Sequence, residues 1–190
     1  MSFLSSFYAK DMSFSSFANG PARARRACSP STKAPIMSKR LNPYVTAADT
    51  MKPLIALEAA IKESGLEHSL IHLVKMRASQ INGCAYCLHM HSADAIKEGE
   101  SPARLFLLDA WHESALYTPR ERAALAWTDA LTLISHTHAP DEAYEEVLRH
   151  FSPEETVKLT LLIGAINTWN RIAIGFRTSH PNDRPAKTAA

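Results

Sequence analysis

Two helix-start signals of the same kind divide the second half of this 190-residue chain, and they limit its fold more than any other feature. Each combines a Thr or Ser N-cap, a following proline and a glutamate two residues later: Thr118-Pro119-Arg120-Glu121 and Ser152-Pro153-Glu154-Glu155. In such a capping box, the N-cap and glutamate side chains accept hydrogen bonds from otherwise free backbone N–H groups. Apolar residues at helical spacing follow both signals, so this half of the chain is predicted to be helical.

The remaining turn and cap signals also separate helices. The predicted helices run from Ala47 to Ser64, from Glu67 to about Gln80, from the closely spaced cysteines Cys84 and Cys87 to Gly99, from Ser101-Pro102 onward, and from Pro140 to about Phe151. Pro53 marks either the true start of the first helix or a kink in it. Neither an alternating strand pattern nor an internal repeat is present. The expected fold class is therefore all-α, a single-domain helical bundle.

The last predicted helix, which ends near Phe176, is apolar around almost its whole circumference. Such a helix is buried either in a core or between subunits. In a domain of this size, its position at the chain end favours burial in an oligomer. The central core helix of a monomer is the alternative.

The two ends of the chain differ from the middle. Residues 1–40 are rich in Ser, Ala and Arg, and Asp11 is their only acid, which is typical of a transit peptide but also of a disordered extension or a start misassigned upstream of Met37. Residues 41–180 are expected to form the helical domain, and residues 181–190 a flexible tail. A cytoplasmic location is expected, or an organelle if residues 1–36 are a real transit peptide.

Composition excludes several classes of protein. No apolar run approaches the roughly 18 residues that a membrane span needs. The net charge of +2 gives no reason to expect a nucleic-acid or membrane partner. Of the three cysteines, Cys28 lies in the N-terminal extension, which leaves one closely spaced pair. A dithiol of the cytosolic type fits this better than a structural disulfide framework.

That pair, in Cys84-Ala85-Tyr86-Cys87, follows the turn signal Asn82-Gly83 and is predicted to open a helix. The free N–H groups and the dipole of a helix N-terminus favour a thiolate. At about 100° per residue, Cys84, Cys87 and His91 fall within roughly a 60° arc, whereas His89 points away. A reactive thiol, a second thiol and a histidine are the groups that thiol redox chemistry requires.

Other interpretations of these residues remain open. The cysteines could be inert buried side chains, or they could join His91 and, if it is adjacent, His72 in a structural zinc site. Tyr86 either shapes a substrate pocket or simply packs. Core or interface anchors are expected at the tryptophans: Trp111, Trp127 and Trp169. No cofactor and no metal ion are expected.

The run from Arg77 to Cys87, with Met90-His91 after it, resembles the alkylhydroperoxidase D / carboxymuconolactone decarboxylase superfamily. Similar runs are Arg122 to Trp127 and Ile166 to Arg171, so the resemblance covers most of residues 45–176. It implies an all-helical fold, assembled as a homo-trimer or hexamer. Because the decarboxylase branch lacks the cysteine pair, the chain is more similar to the peroxidase branch.

The resemblance also implies residue roles. Cys87 would attack the peroxide, Cys84 would resolve it as a disulfide, and His91 would relay protons. The family's relay glutamate, twelve residues before the first cysteine, is replaced here by His72, which either keeps the relay with a different pH response or weakens it. No histidine lies between the two cysteines, unlike in the best-known branch.

The implied function is a thiol-dependent alkyl hydroperoxide reductase in antioxidant defence, with a hydroperoxide substrate. A lipoyl protein or a thioredoxin-like protein would supply the reducing dithiol. Two alternatives differ in class: a dithiol redox sensor or binding protein without turnover, and a carboxymuconolactone decarboxylase-type lyase.

Overall fold

A computed structural model of the chain describes residues 40–180, and these contain α-helices, one short 3-10 helix and no strand. The α-helices, in chain order, are α1 (Pro43–Thr46), α2 (Ala48–Lys62), α3 (His68–Asn82), α4 (Ala85–Lys97), α5 (Pro102–Leu107), α6 (Pro119–Thr132), α7 (Ile134–Thr137), α8 (Asp141–His150) and α9 (Pro153–Phe176). The 3-10 helix, Leu108–Ala110, continues α5. The all-α prediction is confirmed. The predicted extension, apart from Arg40, and the predicted tail lie outside the described residues.

The local signals at the helix ends act as the sequence indicates. Both capping boxes are complete, one at the start of α6 and the other at the start of α9. Ser101 is the N-cap of α5, but its side chain makes no capping hydrogen bond. Pro53 lies inside α2 rather than at its start, because the helix already begins at Ala48.

Helix α3 is the centre of the bundle and packs against α4, α6 and α9. One face joins a buried cluster that α6, α8 and α9 complete, with Val74, Ala124 and Leu162 fully enclosed. The other face joins a second cluster under α4 and α5, with Leu73, Leu108 and Leu125 at its centre. Burying apolar side chains on both faces stabilises α3 and fixes the position of its C-terminus.

Helix α9 is buried on one side only. Leu159, Leu162 and Ile166 are fully enclosed, whereas Val157 is 60% exposed and Leu161 49% exposed. Gly164 and Thr168 continue the exposed side at helical spacing. The predicted burial around the whole helix is therefore not reached within one chain.

Within residues 40–180, no helix has the length and apolar character needed to cross a membrane.

Candidate active site

The cysteine pair lies at the junction of α3 and α4, and local geometry explains the turn. Gly83 ends α3 in the left-handed region with φ 68°, a conformation that glycine adopts without the penalty of a Cβ atom. The N–H of Cys84 then donates to the carbonyl of Ser79 at 3.0 Å. Cys84 is the N-cap of α4, and its sulfur accepts from the N–H of Cys87 at 3.3 Å. The prediction that the motif opens a helix is confirmed.

The two cysteines form a disulfide, with their Cα atoms 5.4 Å apart. Both are buried, with exposed fractions of 1% for Cys84 and 2% for Cys87. Since this Cα separation lies within the usual range for disulfides, the pair can interconvert between thiols and disulfide with little backbone movement.

Hydrogen bonds between asparagines of α9 and the end of α3 hold the turn in place. Asn170 is fully buried; its amide donates to the hydroxyl of Ser79 at 3.0 Å, and its carbonyl oxygen accepts from Asn82 at 2.9 Å. Asn82 also donates to Asn167 at 2.9 Å. Because Ser79 and Asn82 both belong to the last turn of α3, these bonds fix the approach to Cys84.

His91 lies one turn after Cys87 on α4 and is only 7% exposed. Burial, the Lys75 cation and His72 together lower the pKa of His91 from its ordinary value of 6.5 to about 3. Desolvation disfavours the charged imidazole, and a nearby cation adds to that effect. At neutral pH, His91 is therefore a neutral imidazole with one nitrogen free to accept a proton.

A cavity of about 210 Å³ opens onto Cys87 and His91. Its remaining wall is largely aromatic and aliphatic: Tyr44, Tyr86, Met90, Trp169, Ile172 and Ala173, with Glu58 and Thr178 as polar members. The Tyr44 and Trp169 rings stack with their centroids 6.5 Å apart. Cys84 does not line this cavity, so Cys87 is the sulfur that a small molecule inside would meet.

A larger cavity of about 700 Å³ also borders His91, and His72 lines it. The two cavities share Glu58, Met90, His91 and Trp169. His72 does not line the smaller one. Of the four predicted site residues, the fold thus brings Cys84, Cys87 and His91 together. His72 lines the larger cavity with His91 and acts on the pKa of His91, but it does not reach the cavity over Cys87.

His89 stacks on His180 with ring centroids 4.8 Å apart and lines neither cavity. This placement agrees with its predicted direction away from the cysteines.

Several polar residues of the site were not predicted. Glu58 accepts hydrogen bonds from Lys75 and, at 3.2 Å, from the indole of Trp169. Glu98 lies 3.0 Å from the Nε2 atom of His72. Sequence signals could have found two of these three residues: Lys75 is a charge within the most apolar run of α3, and Glu98 follows His91 by two helical turns. No local signal identifies Glu58.

Among residues 40–180, no group of three or more His, Cys, Asp or Glu side chains is arranged to hold a metal ion.

Comparison with known sequences identifies relatives of this arrangement. Residues 48–130 match the sequence profile of the Carboxymuconolactone decarboxylase family. The uncharacterized protein YdfG of Bacillus subtilis is 43% identical over 138 residues, which make up 73% of this chain and 94% of YdfG.

Solved structures share the architecture. A protein of unknown function from Agrobacterium tumefaciens, suggested to be the antioxidant defence protein AhpD, matches with a TM-score of 0.74 and 51% identity, over 76% of this chain and 99% of its own. An uncharacterized peroxidase-related protein from Ralstonia eutropha, with an alkylhydroperoxidase AhpD core, matches with a TM-score of 0.65 over 74% of each chain. At 22% identity, this second match supports the fold alone.

Proposed function

This chain belongs to the carboxymuconolactone decarboxylase family, and we propose that within it the protein is a thiol-dependent alkyl hydroperoxide reductase. The observation that carries the proposal is the position of Cys87. It lies in the first turn of α4, bonded to Cys84, and faces an apolar cavity beside a neutral His91. These are the requirements for a thiol that attacks a small neutral oxidant and is then resolved.

The first step forms the nucleophile. In the reduced protein, His91 accepts the thiol proton of Cys87, and the free N–H groups at the start of α4 stabilise the thiolate. The side chains of residues four apart on a helix meet, so this transfer needs no rearrangement. In the disulfide form, the positive charge of Lys75 disfavours a cationic His91. A thiolate at Cys87 offsets that charge in the reduced protein.

The second step consumes the peroxide. The Cys87 thiolate attacks the distal oxygen of the hydroperoxide, so that an S–O bond forms as the O–O bond breaks. The departing alkoxide takes the stored proton and leaves as an alcohol. The Cys84 thiol then attacks the Cys87 sulfenic acid; its proton and the sulfenic hydroxyl leave together as water, and the disulfide forms. The protein has lost two electrons and the peroxide has gained two.

Turnover requires a dithiol reductant, which becomes a disulfide as Cys84 and Cys87 return to thiols. Both sulfurs are almost fully buried, so the reductant reaches them through the cavity over Cys87. A slender dithiol such as a protein-bound lipoyl group fits this route, and a thioredoxin-like protein is the alternative donor.

We also propose that the protein works as a homo-oligomer, trimeric or hexameric. The exposed side of α9, with Val157 and Leu161, supports this, because a second copy of the chain would cover apolar surface that one chain leaves in water.

The test is steady-state consumption of an organic hydroperoxide with dihydrolipoamide as reductant. Cys87→Ser should abolish turnover, because a hydroxyl cannot form the sulfenic acid. Without reductant, Cys84→Ser should consume one equivalent of peroxide and then stop, because its sulfenic acid has no second thiol in the site to react with. Cys28→Ser, which removes a cysteine outside the described residues, should keep full turnover. Full activity of Cys87→Ser would contradict the proposal.

The same experiment separates the second candidate, a redox sensor built on the same dithiol. A sensor would be oxidised once to the Cys84–Cys87 disulfide, with no turnover when reductant is in excess. The burial of both sulfurs supports this candidate, because burial slows the access of a reductant to the disulfide.

A further inference from the structure

The proposed mechanism must store one proton between deprotonation of Cys87 and release of the alcohol. His91 is a poor place to keep it, because burial and the Lys75 cation hold the pKa of His91 near 3 in the disulfide form. A second base with a carboxylate beside it would carry the positive charge in place of His91. The larger cavity contains such a group, His72.

His72 has a carboxylate on one side and a free nitrogen on the other. Its Nε2 atom lies 3.0 Å from a carboxylate oxygen of Glu98, at the C-terminal end of α4. Its Nδ1 atom is buried and has no hydrogen-bond partner. The His72 side chain is only 12% exposed.

The carboxylate determines which nitrogen of His72 carries the hydrogen. The hydrogen bond from His72 lowers the pKa of Glu98, so Glu98 is ionised at neutral pH and can only accept. Nε2 therefore carries the hydrogen, and Nδ1 keeps the free lone pair. This is the arrangement by which a carboxylate orients a catalytic histidine and stabilises its imidazolium form.

We propose that Glu98 is a positioning residue that holds His72 as the proton store of the thiol site. The inference rests on the proposed function. Glu98 would supply the carboxylate that is absent at position 72, where the peroxidase branch that the chain resembles has a glutamate. The proton passes from Cys87 to His91 and on to Nδ1 of His72, which lies close enough to His91 to act on its pKa. It returns along this path to the alkoxide.

Other charged and titratable groups surround this pair, and they come from every neighbouring element. A third cavity, of about 270 Å³, also borders His72 and Glu98. The groups facing it or the larger cavity are Glu58 and Lys62 of α2, His68 and Lys75 of α3, His91, Asp94 and Lys97 of α4, Glu100, and Arg104 of α5. His68 also lies 3.5 Å from Glu98, but its side chain is 55% exposed. The buried nitrogen makes His72, rather than His68, the store.

The test measures the reactivity of Cys87 directly and uses no peroxide. In a Cys84→Ser background, the rate of Cys87 alkylation by iodoacetamide is followed against pH, with mass spectrometry of the peptide that contains position 87. Adding Glu98→Gln should raise the pH midpoint of alkylation by about 0.5–1 unit, because the imidazolium loses its anion and the thiolate loses its partner.

The direction of the shift is decisive. Removal of a nearby negative charge without a relay would stabilise the thiolate and lower the midpoint. Asp94→Asn is the matched control, since it removes an exposed carboxylate from the same cavity, one turn away on α4. It should leave the midpoint unchanged or slightly lower. An unchanged or lowered midpoint in Glu98→Gln would overturn the proposal.

Two further measurements keep the inference separate from the proposed function. In a His72→Gln background, Glu98→Gln should add no further shift, because no imidazole is left to support. The ¹⁵N spectrum of His72 should show a protonated Nε2 in the parent and a mixture of tautomers in Glu98→Gln; an unchanged tautomer would contradict the relay. If peroxide turnover is absent but the midpoint rises, the proposed function fails and the relay stands. If peroxide is turned over but the midpoint does not rise, the relay is rejected and the proposed function stands.

Discussion

At the scale of single residues, the charge state of His91 is the feature that most affects the site. The imidazole is buried beside Lys75 and is neutral far below the pH at which a free histidine would become charged. Neutrality makes it a proton acceptor at working pH, and it also links the site to the stability of the whole protein. The linkage has a definite sign, because unfolding exposes His91 and restores its ordinary pKa of 6.5.

We expect His91 to make the protein less stable as the pH falls. The stability contributed by a neutral His91 is complete above about pH 6.5 and is lost progressively toward pH 3, because only the unfolded chain binds the proton in that window. Between about pH 7.5 and 4.5, the loss should be about 2–3 kcal/mol in the free energy of unfolding. Urea unfolding of the oxidised protein at both pH values measures it.

His91→Gln should show a correspondingly smaller loss between the two pH values. The exposed His136→Gln is the matched control and should behave as the parent does. Equal pH dependence in the parent and in His91→Gln would show that His91 is not the responsible group.

At the scale of helices, the position of the cysteines depends on how α9 holds the end of α3. Asn170 forms the buried bonds to Ser79 and Asn82 that connect the two helices. Replacement by alanine would remove the bond to the Ser79 hydroxyl and one of the two bonds that the Asn82 amide donates. A buried polar group that loses its partner costs about 1–3 kcal/mol.

Asn170→Ala should therefore lower the free energy of unfolding by about 2–4 kcal/mol. It should also speed reduction of the disulfide by a fixed concentration of dithiothreitol, since the turn before Cys84 is held less firmly. Ser135→Ala removes an exposed hydroxyl from α7, away from this hydrogen-bond network and from the exposed side of α9, and should change neither quantity. If Asn170→Ala is destabilised but its disulfide is reduced at the parent rate, the network does not control the reactivity of the cysteines.

At the scale of the whole molecule, α9 has two different sides. One supplies the core with enclosed leucines and isoleucines, and the other presents Val157 and Leu161 to solvent. Apolar surface of this kind, continued along a helix, is typical of an interface.

Sedimentation equilibrium should give a mass of several subunits, and Leu161→Glu should shift it toward the single chain, because a buried carboxylate without a partner is strongly unfavourable. Leu116→Glu places the same change on a half-exposed leucine in a loop and should keep the parent mass. A parent protein that sediments as one chain at all concentrations would contradict the prediction.

The sequence by itself determined the features that depend on contacts between residues close together in the chain. The capping boxes fix the starts of α6 and α9, because donor and acceptor lie three residues apart. Gly83 and Cys84 close one helix and open the next for the same reason, and helical spacing alone brings Cys87 and His91 together. The all-α fold and the placement of Cys84, Cys87 and His91 in one site could therefore be predicted.

Only the tertiary structure decided which other groups surround these residues and what charge they carry. Trp169 meets Glu58 across 111 positions in the chain, and Glu98 meets His72 across 26. Such pairs depend on how whole helices pack, which no local spacing encodes. The neutral state of His91 has the same origin, since the dry surroundings and the nearby Lys75 exist only after the helices have come together.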